Sequence, residues 1–99
     1  MGVALVEAFA EDALINDQLR EYRGRASIRT WAARDIIGDR LSVYVVEVVE
    51  MYDNVVVTAN IDGDYDKRGL PEPLVLTFYF SIRGARIVQL IILRNEADL

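Results

Sequence analysis

The chain contains neither cysteine nor histidine. The first absence removes disulfides, thiol nucleophiles and thiolate metal sites. The second removes the commonest general base, the Ser-His triads and nearly every ordinary zinc site. Any catalysis must therefore rest on carboxylates, tyrosines, arginines or backbone groups. Basic residues are also scarce: eleven against sixteen acids, for a formal net charge of −5. A nucleic-acid surface needs a basic stripe that displaces counterions, so that class of partner is excluded. The densest basic group (Arg20, Arg23, Arg25, Arg29) is itself interrupted by Glu21. No apolar run is long enough to span a bilayer, and the start of the chain does not read as a secretory signal. The expectation is a soluble, cytoplasmic protein that binds no membrane and carries no cofactor.

What the chain does have is apolar residues, 53% of its 99 positions. A chain of this size buries roughly 60–70% of its unfolded surface, enough for one core, so residues 1–99 are expected to form a single domain. Val3, Leu5, Val6 and Phe9 are spaced for one face of a short helix over residues 2–10. Residues 14–16 and 20–23 read as short strands. A second helix is expected over 25–37, with Ile28, Trp31, Ala32 and Ile36 on its apolar face and Gly38 at its end. Four long strands follow, over 40–52, 55–65, 74–83 and 86–94. Turns fall at Asp53-Asn54 and Gly84-Ala85, and a polar, proline-bearing loop spans 66–73. Residues 95–99 read as a frayed tail.

The long strands are apolar on both faces. Leu74, Leu76, Phe78, Phe80 and Ile82 share one side of their strand; Val75, Thr77 and Tyr79 share the other. Residues 43–49 and 87–93 behave likewise. An antiparallel sheet with one wet face should alternate apolar and polar residues. Two helices can cover only one face, so the other is expected to be covered by a second copy of the chain. That homodimer through the sheet would bury Val75, Tyr79, Val88 or Ile91, according to register.

The segment Phe9-Ala10-Glu11-Asp12-Ala13-Leu14-Ile15-Asn16-Asp17, followed by Tyr22-Arg23-Gly24-Arg25 and Ile28-Arg29-Thr30-Trp31, resembles the SnoaL-like branch of the nuclear transport factor 2-like superfamily. The resemblance covers nearly the whole chain. It implies an α+β fold: a strongly curved, largely antiparallel sheet of four long strands wrapped around two short helices, enclosing a pocket. It also implies a further N-terminal helix that this sequence does not show. The expected lining is Leu14, Ile28, Trp31, Val57, Ala59, Leu76, Phe78, Leu90 and Ile92, with Asp17 at the rim. A register error of one residue would exchange every face.

Asp17 is the sharpest candidate for chemistry. In the ketosteroid isomerases of this superfamily an acid at the matching place is the catalytic base, and Ile15-Asn16-Asp17 resembles their Val-Glu-Asp segment. Partial desolvation at a pocket mouth suits a carboxylate to moving protons. The structural alternative is that Asp17 caps a turn toward Arg20. The isomerases also need two oxyanion donors. The place of one corresponds to about Phe78, which cannot donate, and the other comes from the helix not seen here. Trp31 reads either as a stacking platform or as core, and the five tyrosines either as polar handles or as ordinary strand residues. Glu47 and Asn60 interrupt apolar runs at a bulge, toward solvent or into a cavity. Asp62-Gly63-Asp64-Tyr65-Asp66 hints at a calcium loop, but Lys67 and Pro73 stand where such a loop needs glycine and glutamate, so no metal site is expected.

Three functions remain open. The first is binding of a small apolar or mildly polar molecule without chemistry. The second is an isomerase, cyclase or hydrolase of SnoaL-like type with Asp17 as general acid or base. The third is a self-assembling interaction module.

Overall fold

The computed structural model describes residues 2–94, with side chains from Leu5 onward. The side chain of Val3 and the tail over 95–99 lie outside the described residues. Helix α1 (Gly2–Glu7) leads into β1 (Phe9–Asp17) and β2 (Arg20–Arg23). Helix α2 (Gly24–Trp31) continues into a π-helical segment (Ala32–Ile37). Then come β3 (Ser42–Met51), β4 (Asn54–Asp62), β5 (Leu74–Arg83) and β6 (Arg86–Arg94). The fold is α+β, and all six strands form one sheet in the order β2-β1-β6-β5-β4-β3. Every pairing is antiparallel except β1 with β6, which is parallel.

Two expectations need correction. The sheet has six strands rather than four long ones with short additions, because β1 is nine residues long, the length of β4 and β6. The first helix ends at Glu7 instead of running to residue 10, and Phe9 already belongs to the sheet. Glu11 and Asp12, which precede the strand expected over 14–16, are exposed residues of β1. They lie where its register against β6 shifts between Phe9 and Leu14. A bulge of this kind leaves ladder groups unpaired. The Phe9 carbonyl is taken up by the Arg25 guanidinium, whose Nε and Nη2 donate to it at 3.1 and 2.9 Å. Two more register shifts interrupt β3 against β4 and β5 against β6.

Gly24 opens α2 at a φ of +84°, a backbone region that a side chain would strain. The helix buries Ile28 and Trp31 as its periodicity predicts. Past Trp31 it widens: the Gly38 N–H donates to the Ala33 carbonyl, five residues back, at 2.8 Å. Gly38 has an ordinary helical φ of −62°, so its use here is space. A Cβ there would stand 2.6 Å from the Arg34 carbonyl oxygen.

One face of the sheet meets the helices. Its core joins Phe9, Ala13 and Ile15 of β1 with Ala59, Ile61, Leu74, Leu76, Leu90 and Ile92 of the long strands, under Val6, Ile28, Trp31 and Ala32. On the outer face Val75, Val88 and Ile91 are half-buried and Tyr79 is exposed. Strand β3, at one edge of the sheet, is exposed at all ten positions. No helix among the described residues is long and apolar enough to cross a membrane.

Candidate functional site

The hairpin joining β1 to β2 sets the position of Asp17. Its two turn residues, Gln18 and Leu19, both have positive φ, 51° and 75°. Such a turn matches strand twist but normally uses asparagine and glycine. Here it is tied down at both ends. The Asn16 side-chain oxygen accepts from the Leu19 N–H at 2.8 Å, and the Gln18 N–H donates to the Ile92 carbonyl at 3.0 Å. Asn16 thus caps the turn, the task considered for Asp17. Asp17 turns to the helix side, where its Oδ2 accepts from the Trp31 indole N–H at 3.0 Å. No ion pair joins Asp17 to Arg20 among the described residues. Its Oδ1 has no protein partner there.

Two cavities meet at Trp31. The first, of about 360 Å³, is walled by Trp31, Ile36, Leu41, Val43, Ile61, Leu74, Leu76, Phe78 and Ile92, with Tyr65 and Leu70 from the loop after β4. Asp17, Asp35, Asp39 and Asp66 supply its carboxylates, and Gln18 and Arg20 stand beside Asp17. The second, of about 230 Å³, has only apolar walls: Leu5, Phe9, Trp31, Ile36, Val43, Val57, Phe78, Phe80, Ile87 and Leu90. Trp31, Ile36, Val43 and Phe78 border both. The Phe78 and Phe80 rings stack at 6.4 Å along the second.

The structure distributes the expected lining as follows. Trp31, Val57, Leu76, Phe78, Leu90 and Ile92 each border one or both cavities. Ile28 and Ala59 are completely buried and form part of the core. Leu14 stands on the other face of β1 from the buried Ala13 and Ile15, away from both cavities. Asp35 and Asp39 contribute without any sequence signal, whereas Tyr65 is one of the five tyrosines that could serve as polar handles and Asp66 belongs to the segment that hinted at calcium. Tyr65 donates its hydroxyl hydrogen to the Ile61 carbonyl at 3.1 Å and is thereby held against the wall. Tyr22 is engaged by Arg34, whose Nη2 donates to its hydroxyl at 2.6 Å. Tyr44 and Asn60 line a separate 260 Å³ recess near Pro71 and Pro73, and Glu47 lies beside the bulge of β3. None of Tyr22, Tyr44 and Tyr79 borders the cavity that Asp17 borders.

The carboxylates at the mouth differ in circumstance. Asp66 accepts from Arg68, which holds its carboxyl below the ordinary range. Asp35 Oδ1 pairs with Arg34 at 3.0 Å, which raises the guanidinium, while its Oδ2 is enclosed and unpartnered. Asp62 and Lys67, from the segment that hinted at calcium, pair at 2.7 Å. Asp17→Asn is expected to keep the fold, within about 1 kcal/mol of the parent in urea unfolding, because asparagine retains an acceptor for the indole. A larger loss would make Asp17 a structural residue.

Residues 3–90 match the sequence profile of the SnoaL-like domain. No curated protein matches the sequence. Among solved structures, a candidate polyketide cyclase from Sinorhizobium meliloti is similar at 28% identity and a TM-score of 0.81, over 92% of this chain and 80% of its own. A candidate SnoaL-like polyketide cyclase from Jannaschia gives 20% and 0.78, over 95% and 72%. A Catenulispora acidiphila protein with a ketosteroid isomerase-like fold, in complex with trimethylamine, gives 22% and 0.77, over 97% and 76%.

Proposed function

The chain belongs to the SnoaL-like domain family, and from that premise we propose that it binds a small, mainly apolar molecule in the paired cavities around Trp31. The observation that carries this reading is the space itself. Trp31 and Phe78, the large side chains common to both cavities, stand in their walls and leave them open. Apolar pockets with a few convergent polar groups are the usual form of a small-molecule site. The polar groups at the mouth are mostly carboxylates, which only accept hydrogen bonds when ionised, so the ligand's polar end is a donor.

The test is thermal unfolding against a panel of apolar compounds bearing one hydroxyl or amine. A ligand at a hundred times its Kd adds about 2.7 kcal/mol, and each kcal/mol raises the Tm by roughly 4–8 °C in a domain of this size. Ile36→Trp, which puts bulk into both cavities, should keep the fold and lose the shift. A shift that survives in this variant would place the ligand elsewhere.

A second reading has one observation in its favour: Asp17 borders the larger cavity, with Oδ2 held by Trp31 and Oδ1 unpartnered. As a general base it would act in an isomerase, cyclase or hydrolase. The wall opposite offers Phe78, which cannot donate, and Tyr65, whose proton is already given to Ile61. The side-chain donors at this cavity, Gln18 and Arg20, stand beside Asp17 rather than across from it, which is why binding is the preferred reading. An enzyme predicts turnover that Asp17→Asn abolishes while ligand stabilisation persists.

A further inference from the structure

The polar groups of the candidate site belong to one of its two cavities. Asp17, Asp35, Asp39 and Asp66, with Gln18 and Arg20, border the larger, whereas the smaller has only apolar walls. Trp31, Ile36, Val43 and Phe78 border both and form the waist between them. Three of the four are fixed or short. Trp31 is buried and bonded to Asp17, the Phe78 ring stacks on Phe80, and Val43 is a small side chain of the edge strand. Ile36 is half-buried and reaches the waist through the form of its helix. Residues five apart on an α-helix point about 140° away from each other, which would turn Ile36 from Trp31. The π-helical segment closes its hydrogen bonds over five residues and brings the two back to one wall.

We propose that the two cavities hold one molecule, an elongated amphiphile with a hydrogen-bond-donating head among the carboxylates and a straight hydrocarbon tail that passes Ile36 into the apolar cavity. This inference rests on the reading of the paired cavities as a ligand site. The division of polarity selects the class. A compact ligand would fill the larger cavity and leave the smaller one empty, and apolar walls give water no partner there. Each tail methylene taken out of water tightens binding about fourfold, so a molecule long enough to enter both cavities outbinds a short one. A branch on the tail would have to pass between Trp31, Ile36, Val43 and Phe78. Ile36 is thereby the specificity-determining residue, and it admits a straight chain in preference to a branched one.

Calorimetric titration of the full chain with primary alkylamines of increasing length, each kept below its micelle concentration, tests this. Affinity should rise about fourfold per methylene and then level off. Val57 borders the apolar cavity alone, so Val57→Phe should bring the plateau to shorter chains. Leu5→Phe, also at that cavity alone, serves if the first variant does not fold. The parent should bind amines with one methyl branch in the tail at least tenfold more weakly than their straight isomers, and Ile36→Ala should close that gap. A parent indifferent to tail length or branching overturns the proposal and leaves a ligand site in the larger cavity standing. A plateau that does not move in a folded variant at Val57 or Leu5 does the same, as does a branch penalty that persists in Ile36→Ala. If no amine binds but the thermal panel yields a ligand, only this inference falls. If neither gives binding, the reading beneath it falls too.

Discussion

Trp31→Ala is expected to destabilise the protein by about 3–5 kcal/mol in equilibrium unfolding, the range for truncating a buried tryptophan. Trp31 is only 4% exposed although it borders two cavities, so nearly all its surface is already in contact with protein. Removing it would fuse the two spaces around Ile36 and Phe78, and neither wall can collapse into a gap that size without moving the helix. The indole N–H adds a second loss, since Asp17 Oδ2 would be left without its donor. Trp31→Phe separates the two effects. It keeps most of the packing and deletes the donor, so its loss should be well below that of alanine. A loss below about 1 kcal/mol for Trp31→Ala would fit a surface residue and contradict its burial.

Phe9→Ala is expected to cost a similar amount, about 3–5 kcal/mol. Phe9 is 1% exposed at the first position of β1, paired with Ile87, and forms one wall of the apolar cavity. The lost ring would enlarge a space whose walls carry no polar group, and such a cavity does not gain compensation from water. The backbone contact is unaffected, because Arg25 holds the Phe9 carbonyl rather than the ring. A Phe9→Ala protein that is weakened but folded should accept bulkier apolar ligands than the parent, measurable as larger thermal shifts. Unchanged stability would mean that the ring is replaceable by solvent.

These two residues also mark the division between what local pattern reveals and what it does not. The hairpin of β5 and β6 was legible residue for residue, because two long apolar runs are divided by Arg83-Gly84-Ala85-Arg86. The faces of β5 follow from period two alone, with Leu74 and Leu76 buried on one side and Tyr79 exposed on the other. Strand β1 was not: Glu11 and Asp12 look like a turn, and only pairing with β6, more than seventy positions away, keeps them in a strand. The turn between β1 and β2 is signalled only by Asn16 and Asp17 before it, because neither Gln18 nor Leu19 is a residue that favours positive φ. The stripe of α2 was visible, but its widening past Trp31 depends on a five-residue hydrogen bond that has no periodic signature. Asp17 could be singled out by its place in a resemblance. Its bond to Trp31 depends on how α2 crosses the sheet, as do the contributions of Asp35 and Asp39. Leu14 shows the hazard of period two: its neighbours face the core, and it faces away.

The parallel pairing of β1 with β6 has a consequence for how the chain comes to be folded. Every antiparallel pair in the sheet is joined by a local connection, but β1 can find its long neighbour only after residues 86–94 have been made. Until then the apolar helix side of β4 and β5 lacks Phe9, Ala13 and Ile15 of β1, and with them the α2 helix that packs on that strand. Pairings between distant segments are slow to form, and partly covered apolar sheets are prone to associate while they wait. A chain made only as far as β5 is therefore the most exposed intermediate, and β6 is the strand that lets β1 join the sheet. Variants that weaken β6 should appear first as lower soluble yield, before any deficit is visible in the protein that does fold.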